Sequence, residues 1–216
     1  RTGEVLYDVY EDENRIPVEL NEIPKTLKEA TIAIEDKDFY KHQGFDTSGY
    51  LRAIKQILIF HNLAGGSTLT QQLVKTVLLT AERTLPRKIK EFILAVQIEK
   101  KYTKDQILQM YLNEAPFGGT AWGVEAASKS YFGKHTKELT LIESAFLAGL
   151  PQSPSNYSPF TSDSKAYIWR TQQVLRRMRE DGYITKAQEQ SSTKELNDLK
   201  FAEQGFNIKA PHFVMY

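Results

Sequence analysis

The sequence predicts a mainly α fold, and three observations carry that reading. Apolar residues recur at helical rather than strand spacing, as in Leu27, Ala30 and Ile34. Segment starts carry helix signals: Pro24, the pair Thr68 and Gln71, Pro86, and Thr103. Leu139 to Leu150 is apolar nearly all round, as a helix buried in a core is. The helices so implied differ too much in length and spacing for a simple bundle.

Taken in order, Val5-Leu6-Tyr7 and Ile16-Pro17-Val18 read as short β pieces around the polar turn Glu11 to Asn14, a small hairpin. A helix opens at Asn21 and Pro24 and runs to Glu35. After Gly44, Asp46 or Thr47 caps a helix carrying Tyr50, Ile54, Ile57, Leu58 and Phe60, and Gly65-Gly66 ends it. Thr68 and Gln71 form a capping box for a helix to about Leu79. Pro86 opens a helix to about Lys101, and Thr103 caps one through Leu112. Gly118, Gly119, Gly123, Ala126 and Ala127 mark a tightly packed, turn-rich region. Pro151, Pro154 and Pro159 break the chain after the core helix. Helices from about Ser164 to Asp181 and near Thr185 to Gln190 follow. The end, Ser191 to Tyr216, reads as irregular, with a β-like Phe213-Val214-Met215.

A chain of 216 residues is one large domain or two small lobes. With 41% hydrophobic and 25% charged residues its composition is ordinary for a globular protein. The absence of cysteine excludes a disulfide framework and a thiolate zinc site. Its apolar runs, such as Ile57 to Phe60, are far too short to span a bilayer. Because the first residue is Arg1 rather than Met, a preceding signal or anchor is expected. The net charge of +1 hides an asymmetry. Residues 1–36 hold ten acidic and four basic side chains (net −6), and residues 75–104 hold eight basic and three acidic ones (net +5). A local basic excess suits an anionic ligand, and equally a solvated helix face.

Four stretches could carry chemistry. In the first, Ile34 to Gly44, two adjacent carboxylates end an apolar helix. Adjacent side chains on a helix point about 100° apart, so at most one of Glu35 and Asp36 faces a given cleft. Ile34 belongs to the core stripe, which leaves Glu35 at its edge, half-sheltered as a general base must be; a solvated helix end is the plainer reading. His42 suits orienting a carboxylate, binding phosphate, or a structural role. The second stretch, Gly65 to Lys75, joins two glycines to a helix N-terminus where free amides favour an anion. Gln71 and Lys75 there share a face, and the phosphate-loop spacing is missing. In the third, Arg83, Arg87, Lys88 and Glu91 form either a surface ion-pair ladder or a pyrophosphate clamp beside a second carboxylate. The fourth comprises Tyr111 to Glu114 and Leu147 to Pro154, which by spacing alone are core helices ending in loops.

Together these stretches resemble the peptidoglycan glycosyltransferase (transglycosylase) domain of class A penicillin-binding proteins and monofunctional transglycosylases, glycosyltransferase family 51. The matching patterns are Glu35-Asp36-x-x-Phe39-x-x-His42-x-Gly44, Gly65-Gly66-Ser67-Thr68-Leu69-Thr70-Gln71-Gln72 and Arg87-Lys88-x-x-Glu91. Tyr111-Leu112-Asn113 with Gly118 and Gly123, and Leu147-Ala148-Gly149-Leu150-Pro151-Gln152, complete the set, in the family's order over about residues 27–160.

The resemblance implies a lysozyme-like α fold with a large head lobe and a small membrane-facing jaw lobe. Residues 24–190 would be the glycosyltransferase domain, with the jaw at about 45–64 dipping Leu51, Ile54, Ile57, Leu58, Ile59, Phe60 and Leu63 into the membrane surface. Residues 1–23 would connect from a membrane helix, and 191–216 would be a linker toward a transpeptidase domain. The implied reaction polymerises lipid II into glycan strands, inverts the anomeric centre and releases undecaprenyl pyrophosphate. Glu35 matches the family's general base. Glu91 matches its second glutamate, which assists pyrophosphate departure directly or through a divalent cation, Mg²⁺ or Mn²⁺. Lys75, Arg83, Arg87 and Lys88 match the pyrophosphate-holding cations, and Ser67, Gln71, Gln72, His42 and Asn113 the donor site. The implied partners are lipid II and the growing glycan chain, the membrane surface, moenomycin-type inhibitors and the transpeptidase domain, with no nucleic acid. The implied location is the outer face of the bacterial cytoplasmic membrane. Two rivals remain: a lysozyme-like glycan hydrolase, which has no need of four cations beside its carboxylates, and a non-catalytic phosphate- or membrane-binding module.

Overall fold

The computed structural model describes residues 14–42, 67–79, 84–160 and 165–202. The hairpin's first piece Val5 to Tyr7, the helix and jaw expected at 45–64, Gly65-Gly66, Arg83 and the β-like Phe213 to Met215 lie outside them. What is described is mainly α, as expected.

The first helix, α1 (Lys25–Glu35), begins behind Pro24, whose extended backbone delivers the chain to the helix start. It buries Leu27, Ala30, Thr31, Ile32 and Ala33. Ile34 is only half-buried against that core, so the buried stripe is carried by Ile32 and Ala33 instead. The cause is double packing. α1 lies against both α6 (Leu141–Gly149) and α8 (Ala166–Glu180), which also pack on each other, and it needs a wide apolar face. Its last residue is Glu35, and Asp36 leaves helical geometry with φ −160° and ψ 73°.

A second group of helices stands beside this trio. α2 (Leu69–Leu78) packs against α3 (Leu85–Lys101) and α4 (Lys104–Glu114). Local capping fixes their starts. Thr68 accepts from the Gln71 amide while Gln71 answers the Thr68 amide, and Thr103 with Gln106 repeats the device on α4. Each such cap contributes about 1 kcal/mol. α3 starts one residue before Pro86, capped by Thr84.

Three sequence expectations are corrected. Ile16-Pro17-Val18 is not a strand: the strand is β1 (Asn14–Arg15), taken from the expected turn. It pairs in parallel with β3 (Ala121–Trp122), which runs antiparallel to β2 (Pro116–Gly118). Val18 finds its backbone partners in a side chain, because Asn113 accepts from its N–H and donates to its carbonyl, both at 2.9 Å. Ala126 and Ala127, expected in a turn-rich region, lie fully buried on α5 (Val124–Phe132). The turn ends at Gly123, at φ +80°, where a Cβ would sit 2.5 Å from the Asn113 carbonyl oxygen. Farther along, Pro154 opens the short α7 (Pro154–Tyr157). The helix expected at 185–190 is longer, α9 (Lys186–Glu195), and reaches into the stretch expected to be irregular because Ser192 and Leu196 are buried.

Candidate active site

Glu35 ends α1 with its side chain only 9% exposed. Both carboxylate oxygens are occupied. Arg170 on α8 donates from Nη2 to Oε1 at 2.9 Å, and Gln72 on α2 donates from Nε2 to Oε2 at 2.8 Å. Gln72 is itself held, because the Tyr111 hydroxyl on α4 donates to its Oε1 at 3.3 Å. Arg170 is held too: its Nε donates to the Gly149 carbonyl at 3.1 Å, and its guanidinium lies 5.6 Å from the Tyr157 ring centre. Two helices besides α1, α2 and α8, thus meet at one carboxylate, and Tyr111, Gly149 and Tyr157 hold the side chains they send.

Asp36 turns the other way. Its two oxygens lie 2.9 Å from His42 Nε2, and Oδ2 also accepts from the Leu69 amide at 3.0 Å. Leu69 is the first residue of α2, so Asp36 places negative charge at a helix N-terminus, where the free amides and the helix dipole favour it. Two neighbouring carboxylates therefore have separate work. Asp36 ties the end of α1 to the start of α2, and Glu35 is presented by that tie.

The second carboxylate, Glu91 on α3, is 1% exposed. The Lys88 ammonium pairs with its Oε1 and donates to Ser67 Oγ at 2.8 Å. Glu91 Oε2 is buried and, among the described residues, accepts no hydrogen bond. Arg87 is half-buried on the same helix. Ser67 and Gln72 flank the first turn of α2, so this one helix start touches the Glu35 group through Gln72 and the Glu91 group through Ser67 and Lys88.

The remaining expected residues are placed as follows. Lys75 is exposed on α2. Gln71 is buried, with its carbonyl oxygen accepting from the Thr68 amide at 3.2 Å. The geometry of Gln71, His42 and Asn113 is internal bracing: a helix cap, the Asp36 partner and the Val18 clamp. Gln72, expected at the donor site, holds Glu35. Among the described residues no group of three or more His, Cys, Asp or Glu could hold a metal ion, and no helix is long and apolar enough to cross a membrane.

Sequence reasoning missed Arg170. The signal was present: Arg170 stands on the same helix stripe as Val174 and Met178, all buried. An arginine on a buried stripe requires an anionic or carbonyl partner. The same contact accounts for Gly149, where a Cβ would come within 3.0 Å of Arg170 Cγ.

Comparison with known proteins gives a consistent result. A family model described as Transglycosylase matches residues 2–179. Penicillin-binding protein 1A of Clostridium botulinum (strain Langeland) is 44% identical over 209 residues, 93% of this chain and 25% of that protein. Penicillin-binding protein 1F of Bacillus subtilis is 45% identical over 186 residues, 86% of this chain and 26% of that protein. Penicillin-binding protein 1A of Escherichia coli is 47% identical over 197 residues, covering 90% and 23%. The crystal structure of penicillin-binding protein 1A from Haemophilus influenzae superimposes with a TM-score of 0.58 at 26% identity, over 97% of this chain and 21% of that one. The chain spans about a quarter of the length of the curated relatives it matches.

Proposed function

The chain belongs to the transglycosylase family, and from that premise we propose that it is a peptidoglycan glycosyltransferase that polymerises lipid II. The growing strand is the donor. The acceptor's sugar 4-hydroxyl attacks the anomeric carbon, its proton passes to Glu35, and the bond to undecaprenyl pyrophosphate breaks. A single displacement turns an α-linked donor into a β-linked product.

The observation that carries this reading is the contrast between the two carboxylates at the start of α2. Glu35 is fixed in position, and each of its oxygens keeps a second lone pair for an incoming hydroxyl. Glu91 instead pairs with Lys88, with Arg87 one turn before it on α3, the setting that a departing pyrophosphate needs. Lys75 and Arg83 belong to the same cationic group in this reading. A glycan hydrolase releases a neutral sugar and gains nothing from such a group.

Glu91 Oε2, buried without a hydrogen bond, fits one position in the shell of Mg²⁺ or Mn²⁺. With no acidic cluster among the described residues, the other ligands would be substrate oxygens and water. Such an ion would supply charge neutralisation at the leaving group.

In this reading the protein works at the outer face of the bacterial cytoplasmic membrane, beside a transpeptidase domain in the full-length protein. Exposed apolar residues support a membrane-surface partner: Val77 and Leu78 at the end of α2, with Ile89 and Ile93 one turn apart on α3. Moenomycin-type phosphoglycolipids would occupy the cationic side.

Incubation with fluorescent lipid II tests the proposal. Glycan strands and undecaprenyl pyrophosphate are the expected products. Soluble muropeptides released from purified cell wall would instead assign a hydrolase, and binding without turnover a non-catalytic module.

A further inference from the structure

One hydrogen bond leaves a carboxylate free to turn about its last torsion; two, one to each oxygen, fix its plane. Glu35 has both, from Arg170 and from Gln72. The Gln72 contact carries a condition that the Arg170 contact does not. A guanidinium only donates, whereas a primary amide has a donating end and an accepting end. An ionised carboxylate only accepts, so Gln72 must face Glu35 with its NH₂. Turned over, it would set its carbonyl oxygen against Glu35 Oε2 with no proton between them.

The carboxylate sets which way the amide lies, and the group at the amide's far end holds it there. There the Tyr111 hydroxyl sits 3.3 Å from Gln72 Oε1. Tyr111 is buried against α2, and burial first, then the charge of Glu35, pushes its hydroxyl well above the ordinary value of 10.0. It stays protonated wherever the protein is folded and active, and donates.

We infer that Tyr111 is a positioning residue for the reaction: its hydroxyl anchors the carbonyl end of the Gln72 amide, and through it the plane of the Glu35 carboxylate. The inference rests on Glu35 as the base. Tyr111 touches no reacting atom in this account, and it differs from an ordinary core tyrosine in one respect. A core tyrosine contributes through its ring, which phenylalanine keeps; a positioning tyrosine contributes through its oxygen, which phenylalanine lacks.

The test is a double-mutant cycle in lipid II polymerisation: wild type, Tyr111→Phe, Gln72→Ala and the pair. Rates are expressed per molecule that binds a moenomycin-type inhibitor, which counts folded sites. Tyr111→Phe is expected to lower kcat on the order of tenfold, as loss of catalytic alignment does, with KM for lipid II unchanged. In the Gln72→Ala background the same change is expected to cost nothing further, because there is no amide left to orient. Wild-type kcat in Tyr111→Phe, or losses that multiply in the pair, would overturn the inference. Glu35→Gln in the same assay separates the two levels. If it polymerises at the wild-type rate, the assignment of the base fails. If it is inactive while Tyr111→Phe is unimpaired, only the role of Tyr111 fails.

Discussion

The two carboxylates at the start of α2 are built to opposite plans. Glu35 has a partner on each oxygen, and its partners have partners: Tyr111 behind Gln72, and the Gly149 carbonyl behind Arg170. Glu91 is more deeply buried, yet Lys88 meets one of its oxygens while the other accepts no hydrogen bond. A buried carboxylate oxygen without a partner is costly in a protein interior. In the proposed reaction the difference separates an end that is complete from one that receives charge. A base must be aligned before substrate arrives, because alignment is what it contributes. A leaving-group site must carry charge that the ligand answers, because its contribution appears as the pyrophosphate departs.

The comparison can be broken most directly at Glu35. Glu35→Gln keeps the shape and removes the proposed base, and is expected to lower the initial rate of lipid II polymerisation by about 10³-fold. At the other end, Glu91→Gln is expected to cost about 10²-fold and to flatten the dependence of rate on Mg²⁺ or Mn²⁺, read by titrating the ion. A response to the ion that survives unchanged would detach Glu91 from it.

Arg170 sharpens the contrast through stability. Its side chain and that of Glu35 are both 9% exposed, so Arg170→Ala leaves a sheltered carboxylate without its cation. The expected cost is about 3 kcal/mol in chemical denaturation, and Arg170→Met with Glu35→Gln together should cost less than Arg170→Ala alone. The helix start that both groups share offers a smaller effect. Thr68→Ala removes the cap acceptor for Gln71 N–H and should lower stability by about 1 kcal/mol, with a fall in activity because Ser67 and Gln72 both depend on that turn.

The smallest expected effect is a control remote from both carboxylates. Burial opposes the charge on Glu125, but the Thr136 hydroxyl and amide and His135 outweigh it and hold the carboxyl below its ordinary 4.5. A lowered folded-state value contributes stability above the unfolded value, and that contribution is lost as pH falls through the folded one. The melting temperature of wild type should therefore fall more steeply below about pH 4.5 than that of Glu125→Gln, while the two proteins share one pH profile of activity at neutral pH.

Legibility in the sequence followed the range of the interactions. Helix starts were readable because a cap is a local bargain between residues three apart, as Thr68 with Gln71 and Thr103 with Gln106 show. The sheet was not, because β1 pairs with Ala121 and Trp122, and Ile16 to Val18 look like a strand while Asn113 serves the Val18 backbone. Ala126 and Ala127 were drawn into a turn by the glycines before them; their small size answers close packing on α5. At the site, the carboxylates were legible through the resemblance and Asp36 through its closeness to His42. The support of Glu35 was not, because Arg170 lies 135 residues away along the chain. Gln72 was noticed for a substrate, and its contact with Glu35 was not foreseen.

The central claim is that the two carboxylates divide the work, one aligned for the acceptor and one charged for the leaving group. The most direct measurement is the affinity of a moenomycin-type phosphoglycolipid for Glu35→Gln and for Glu91→Gln, each as purified protein at equal salt. The account predicts wild-type affinity for Glu35→Gln and clearly weakened affinity for Glu91→Gln. Weakened binding to Glu35→Gln with wild-type binding to Glu91→Gln would contradict it.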